Sequence, residues 1–185
     1  QAFVVNSGNA NACTGAQGYK DALQMAKLTA DRLDLDPPQV IVSSTGVIGR
    51  YLPMDAVKKG IADACAGISE EGGEAASRAI MTTDTVPKEA IGQVDVGGVL
   101  VRVGGMCKGS GMIHPNMATM LAYLTTDAAV APGFLATIVK RVADGSFNQV
   151  TVDGDSSTND SFLLFANGAA GNPPVTAGSA EAEAL

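Results

Sequence analysis

Val94-Asp95-Val96-Gly97-Gly98-Val99-Leu100-Val101-Arg102-Val103 sets β-branched residues on both sides of a glycine pair. Paired glycines supply the positive φ angles that tight hairpin turns require, so the stretch predicts a hairpin or a bulged strand pair, with antiparallel pairing favoured. The hairpin feeds into Lys108-Gly109-Ser110-Gly111-Met112-Ile113-His114-Pro115-Asn116-Met117-Ala118-Thr119-Met120-Leu121-Ala122, a glycine-rich polar loop that runs through small residues into an apolar segment. Leu121 to Asp127 then reads as a buried strand ending in a turn.

Tyr19, Ala22, Leu23, Ala26, Ala30 and Leu33 recur at helical spacing, with Lys20, Asp21, Lys27, Asp31 and Arg32 on the opposite face. Pro53 opens a second helix carrying Val57, Ile61, Cys65 and Ile68, and a third runs from Glu74 to about Ile80. Phe134, Leu135, Ile138, Val139 and Val142 make a fourth, between Pro132 and Gly145. Strands are predicted at Ala2 to Asn6, Val40 to Val42, Asn148 to Val152 and Ser161 to Ala166. Strands and helices interleave, but clean strand-helix-strand units are too few to require a parallel sheet, and the hairpin favours antiparallel pairing. The expected fold is mixed α/β, with layered sheets covered by helices.

A chain of 185 residues, 46% of them hydrophobic, is long enough for one core, so a single domain over residues 1–185 is expected. Because a strand begins at once after Gln1, and Glu181 to Leu185 resembles a helix just starting, the domain is expected to be a fragment cut at both ends. A net charge of −7 without any Lys/Arg cluster argues against nucleic acid and anionic membrane as partners. Cys13, Cys65 and Cys107 are odd in number and widely spaced, which suggests neither a disulfide framework nor a zinc site and fits a reducing, cytoplasmic setting. No apolar run approaches the roughly 18 to 20 residues that span a bilayer.

The chemistry concentrates in the stretch from Lys108. Gly104, Gly105, Gly109 and Gly111 surround the lysine and permit close backbone approach, while Pro115 biases His114 toward an extended conformation. That delivers Thr119 at a loop-to-strand junction. A threonine hydroxyl is a poor nucleophile unless a base lies beside it, and one route is to make Thr119 an amino terminus, whose own amine is the base. A purely structural loop is the competing reading of the same residues. Ser43-Ser44-Thr45-Gly46 follows a short strand, and N–H groups at a strand end can stabilise the oxyanion of an acyl transfer, or simply make a turn. Asp153 to Asp160 could bind a cation, but without EF-hand spacing an ordered loop is the better reading. His114 is the sole histidine, so any Ser/His or Cys/His pair would need it, and no phosphate-cradling motif occurs.

Lys108 to Ala122, together with Asn6 to Gly15, Ser44 to Gly49, Met81 to Thr85 and Asp153 to Asp160, resembles the ornithine acetyltransferase family of arginine biosynthesis, also called bifunctional glutamate N-acetyltransferases. The resemblance extends from Ala2 to about Gly168. It implies stacked sheets between helices and self-cleavage between Ala118 and Thr119. It further implies that Thr119 carries acetyl from N-acetylornithine to glutamate, releasing ornithine. By the same resemblance Thr45 and Gly46 form the oxyanion hole, and Thr82, Lys108 and Thr119 contact substrate. No cofactor or metal is implied, although some members accept acetyl-CoA as donor. The assembly implied is a heterotetramer of two alpha and two beta chains, with a glutamate and late Asn and Thr contacts in a C-terminal half beyond this stretch. Two other readings stay open: an amidase or aminopeptidase using the same self-released nucleophile with water as acceptor, and a non-catalytic small-ligand domain in which Thr119 is a core residue.

Overall fold

The computed structural model describes residues 1–112 and 120–185. Contacts group the chain into two compact units, Gln1–Pro87 and Lys88–Leu185. Each has its own buried core.

In the first unit, β1 (Ala2–Asn9) leads through α1 (Gly15–Leu33) to β2 (Val40–Val47), which pairs with β1 in parallel from Ala2↔Val40 to Asn9↔Val47. A parallel pair needs a crossover, and α1 provides it. α2 (Met54–Ala66) and α3 (Gly73–Ala79) follow. Met25, Leu52 and Ile61 form the centre of one core, with Val4, Val42 and Val57 packed around them; Ala26, Ala30 and Val40 form a second. The buried face of α1 differs from the predicted one. Tyr19 is 69% and Leu23 53% exposed, whereas Gly18, Asp21, Met25, Ala26, Thr29 and Ala30 are buried. The small residues of that stripe allow close packing, and Asp21 tolerates burial because the Gln17 amide donates to its Oδ1 at 2.8 Å.

In the second unit, β3 (Lys88–Val96), β4 (Val99–Lys108), β5 (Leu121–Thr126) and β6 (Ser161–Ala166) form a sheet in chain order. The predicted hairpin is β3–β4, with Val96 opposite Val99 and Gly97 and Gly98 at φ 65° and 85° in the turn. Asp95 Oδ1 accepts the Gly98 N–H at 2.8 Å and closes it. β4 continues through Gly104 and Gly105 and ends at Lys108. β5 pairs antiparallel with β4 but parallel with β6, after the crossover α4 (Pro132–Gly145). Met120, Ala122, Ala143 and Phe162 are buried together, with Val139, Val142 and Phe147 against them. The strand expected at Asn148 to Val152 is absent: Phe147–Gln149 is a 3-10 turn that closes α4, and Phe147 packs on Phe162 with ring centroids 5.3 Å apart. Val150 and Val152 are left 44% and 60% exposed, with no core face for a strand to cover. The fold is therefore mixed α/β, with two parallel crossovers beside the hairpin. No helix among the described residues is long and apolar enough to cross a membrane.

Candidate active site

In the first unit, β2 does not stop at Val42 as its composition suggested but runs through Val47, so Thr45 lies opposite Ser7 and Gly46 opposite Gly8 in the ladder. In a two-stranded ladder alternate residues direct N–H groups to the open edge. Thr45 is 3% exposed. Gly46 has φ +129°, and a Cβ on it would lie 2.3 Å from the Gly8 carbonyl carbon. Only glycine fits so close an approach of two backbones. The Ser7 hydroxyl donates to the Ala79 carbonyl at 2.6 Å, which ties the end of α3 to the strand position facing Thr45. Thr82 follows three residues later, exposed, its N–H donating to Asp84 Oδ2 at 3.3 Å. The first unit therefore gathers Thr45, Gly46 and the approach to Thr82.

The second unit places Lys108 opposite Leu121, two residues after Thr119 in the sequence. Lys108, 3% exposed, ends β4 opposite Leu121, which in turn faces Ser161 of β6. Ala118 and Thr119, with His114 and Pro115, fall within residues 113–119, outside the described residues. The loop of residues 153–160 holds the backbone on either side of them. Asp153 Oδ2 accepts the Met112 N–H at 2.5 Å, and Asp160 Oδ1 accepts the Met120 N–H at 2.7 Å. The Met120 carbonyl also accepts the Ser161 N–H at 3.0 Å. In the sequence Asp160 stood out only as part of a loop that could bind a cation. Among the described residues no three His, Cys, Asp or Glu side chains converge on a metal site.

Burial pushes the Asp160 carboxyl up to about 6, against the opposing pull of the Met120 N–H, the Ser157 hydroxyl and the Lys108 cation. An acid whose pKa rises on folding binds its proton more tightly in the folded state. Its contribution to stability is full below about pH 4 and is lost as pH climbs through about 6. Asp160→Asn has no such titration. Relative to wild type, it is expected to gain about 1 to 2 kcal/mol in stability between about pH 4 and 8, discounted for partial exposure. Urea unfolding at both pH values checks this, and a pH-independent difference contradicts it.

The ArgJ family model matches residues 1–185. The chain belongs to the ArgJ family. The arginine biosynthesis bifunctional protein ArgJ of Symbiobacterium thermophilum is 57% identical over 185 residues, covering 100% of this chain and 46% of that protein. The protein of the same name from Geobacillus kaustophilus is 53% identical over 176 residues, 95% of this chain and 43% of that one. This ArgJ chain thus spans about half the length of the curated relatives it matches. The crystal structure of ArgJ from Bacillus halodurans matches with TM-score 0.57 and 48% identity over 63% of this chain and 61% of that one. Ornithine acetyltransferase from Mycobacterium tuberculosis, solved in complex with ornithine, matches with TM-score 0.54 and 38% identity over 62% and 61% of the two chains. These ArgJ structures also bear out the expected mixed α/β class.

Proposed function

We propose that this ArgJ chain is the nucleophile-bearing part of a glutamate N-acetyltransferase that moves acetyl from N-acetylornithine to glutamate through an acetyl-threonine. The observation that carries the reading is a buried lysine, Lys108, facing Leu121, two residues beyond Thr119 in a chain matched by the ArgJ family along its whole length. Burying a cation is costly unless something anionic compensates it. Asp160 is one such group, and the carboxylate of an amino-acid substrate is a second that a compact ammonium suits.

The chemistry has two stages. The Thr119 hydroxyl adds to the Ala118 carbonyl, the peptide bond shifts to an ester as the proton passes to the threonine nitrogen, and water splits the ester. Ala118 then ends in a carboxylate and Thr119 begins with an amine whose ordinary pKa is about 8. That amine takes the hydroxyl proton as Thr119 attacks acetylornithine, and returns it to the departing ornithine. The amino group of glutamate then attacks the acetyl ester and restores the hydroxyl. Thr45 and Gly46 stabilise the oxyanion in each addition, while Thr82 and Lys108 hold the substrate. Acetyl-CoA would enter as an alternative donor, the cleaved chains would assemble as two alpha and two beta chains, and the setting would be the cytoplasm.

The test follows the acyl group in the full chain. After incubation with acetyl-labelled N-acetylornithine and glutamate, the intact-mass spectrum should show two pieces, the second beginning at Thr119 and carrying one acetyl, with label accumulating in N-acetylglutamate. Label released only as acetate would make the protein an amidase. An uncleaved, unlabelled chain would refute both readings.

A further inference from the structure

We propose, on the basis of that function, that Asp160 is a positioning residue for Thr119, its carboxyl fixing the orientation of the Thr119–Met120 peptide by accepting the Met120 N–H. The hydrogen taken by Asp160 Oδ1 belongs to the peptide bond that joins Met120 to Thr119. A peptide group is planar, so gripping its N–H at 2.7 Å constrains the backbone at Met120, the residue that follows Thr119 in the sequence. The next backbone group is held as well, because the Met120 carbonyl accepts the Ser161 N–H. One dipeptide, Asp160-Ser161, therefore fastens both polar backbone groups of Met120. The anchor is itself braced: Ser157 hydrogen-bonds to the Asp160 carboxyl, Lys108 attracts it, and β6 begins at once with Ser161 opposite Leu121.

The other end of the loop makes the arrangement specific. Asp153 holds Met112, on the far side of residues 113–119. Before cleavage the two aspartates grip the two flanks of one continuous segment. After cleavage between Ala118 and Thr119 they belong to different chain ends: Asp153 retains the released flank, and Asp160 retains the flank that begins with the nucleophile. Asp160 should then matter in both stages, and Asp153 in cleavage alone. A loop that served only to stabilise the fold would not separate the two in this way.

The experiment uses the full chain and measures cleavage by intact mass, and acetyl transfer by kcat and KM on the processed protein. Asp160→Ala is expected to slow cleavage and to lower kcat by about 30- to 100-fold with KM within about threefold, the scale of loss from a misplaced reacting group. Asp160→Asn, which keeps the acceptor oxygen, should stay within about fivefold of wild type, since a neutral acceptor still makes the bond. Asp153→Ala should slow cleavage while the processed protein keeps its transfer kcat.

A folded Asp160→Ala with wild-type kcat overturns the proposal, as does a folded Asp160→Asn that falls as far as the alanine variant. If Asp160→Ala does not fold, Asp160→Glu decides. It retains charge and acceptor but displaces them by one methylene, so kcat should drop about tenfold at unchanged KM; a wild-type kcat there overturns the proposal too. Should the wild type remain whole and inert, as Thr119→Ala does, the acetyltransfer reading fails and takes this inference with it. A wild type that cleaves and transfers beside an indifferent Asp160 series refutes the positioning role alone.

Discussion

Thr119→Ala is expected to remain one uncleaved chain and to transfer no acetyl above background, a loss on the order of 10⁴-fold or more. The size follows from the proposed mechanism, in which the same hydroxyl serves twice. Without it there is no attack on the Ala118 carbonyl, so the amine that would act as base is never released, and no ester can form with acetyl. Thr119→Ser restores the hydroxyl but lacks the methyl that restricts χ1 of a β-branched side chain. It should cleave and transfer more slowly, by about tenfold, because a less constrained rotamer spends less time aligned for attack. Intact mass and an ornithine-release assay on the three proteins check the series. Transfer surviving in Thr119→Ala at more than a few per cent would show that the acetyl group does not pass through this residue.

The features legible in the sequence are those that short-range chemistry fixes. Gly97 and Gly98 identified the β3–β4 hairpin because two successive positive φ angles leave few alternatives. Pro132 and Gly145 bounded α4 as expected. The parallel pairs β1–β2 and β5–β6 were not foreseen, since their strands are separated by whole helices and no local pattern records which distant strand lies alongside. The buried face of α1 was misjudged for a related reason. Tyr19 and Leu23 share the period of Ala26 and Ala30, but the small residues Gly18 and Ala26 decide which stripe packs closely, and Gln17 makes Asp21 tolerable inside. At Asn148 to Val152 the β-branched pattern was real, but no buried face awaited it.

The candidate site divides along the same line. Lys108 and Gly46 stand within motifs and could be named from sequence. Asp160 closes a polar loop just before an apolar strand, a composition that also fits an ordinary turn. What distinguishes it is its bond to Met120, set by the pairing of Leu121 with Ser161, forty residues apart. Such a partnership exists only once the sheet is assembled.

Gly46→Ala is expected to be the most damaging change to the fold among the site residues. A φ of +129° is a conformation that side-chain-bearing residues rarely adopt, and holding one there costs about 1 to 3 kcal/mol. The added methyl also has no room: its carbon would lie 2.3 Å from the Gly8 carbonyl carbon, 2.4 Å from the Gly8 oxygen and 2.7 Å from the Asn9 nitrogen. These are backbone atoms of the paired strand, so relief requires β1 and β2 to part where Gly8 faces Gly46. Strain and overlap together should cost at least about 3 kcal/mol, a large part of the stability of an ordinary domain. For a chain of this size the midpoint of thermal unfolding should fall by about 6 to 12 °C. Gly60→Ala is the control: that glycine lies within α2, a Cβ there would meet no atom inside 4 Å, and the same substitution should stabilise by about 0.5 to 1 kcal/mol. Parting the strands would also displace the Gly46 amide, and loss of one oxyanion donor costs about 10²- to 10³-fold in kcat. Circular dichroism melts and transfer kinetics below the melting range separate the two effects. If Gly46→Ala melts with the wild type, the close approach of the strands is not what requires glycine; if it melts early but turns over normally, Gly46 supports the strand pair without holding the oxyanion.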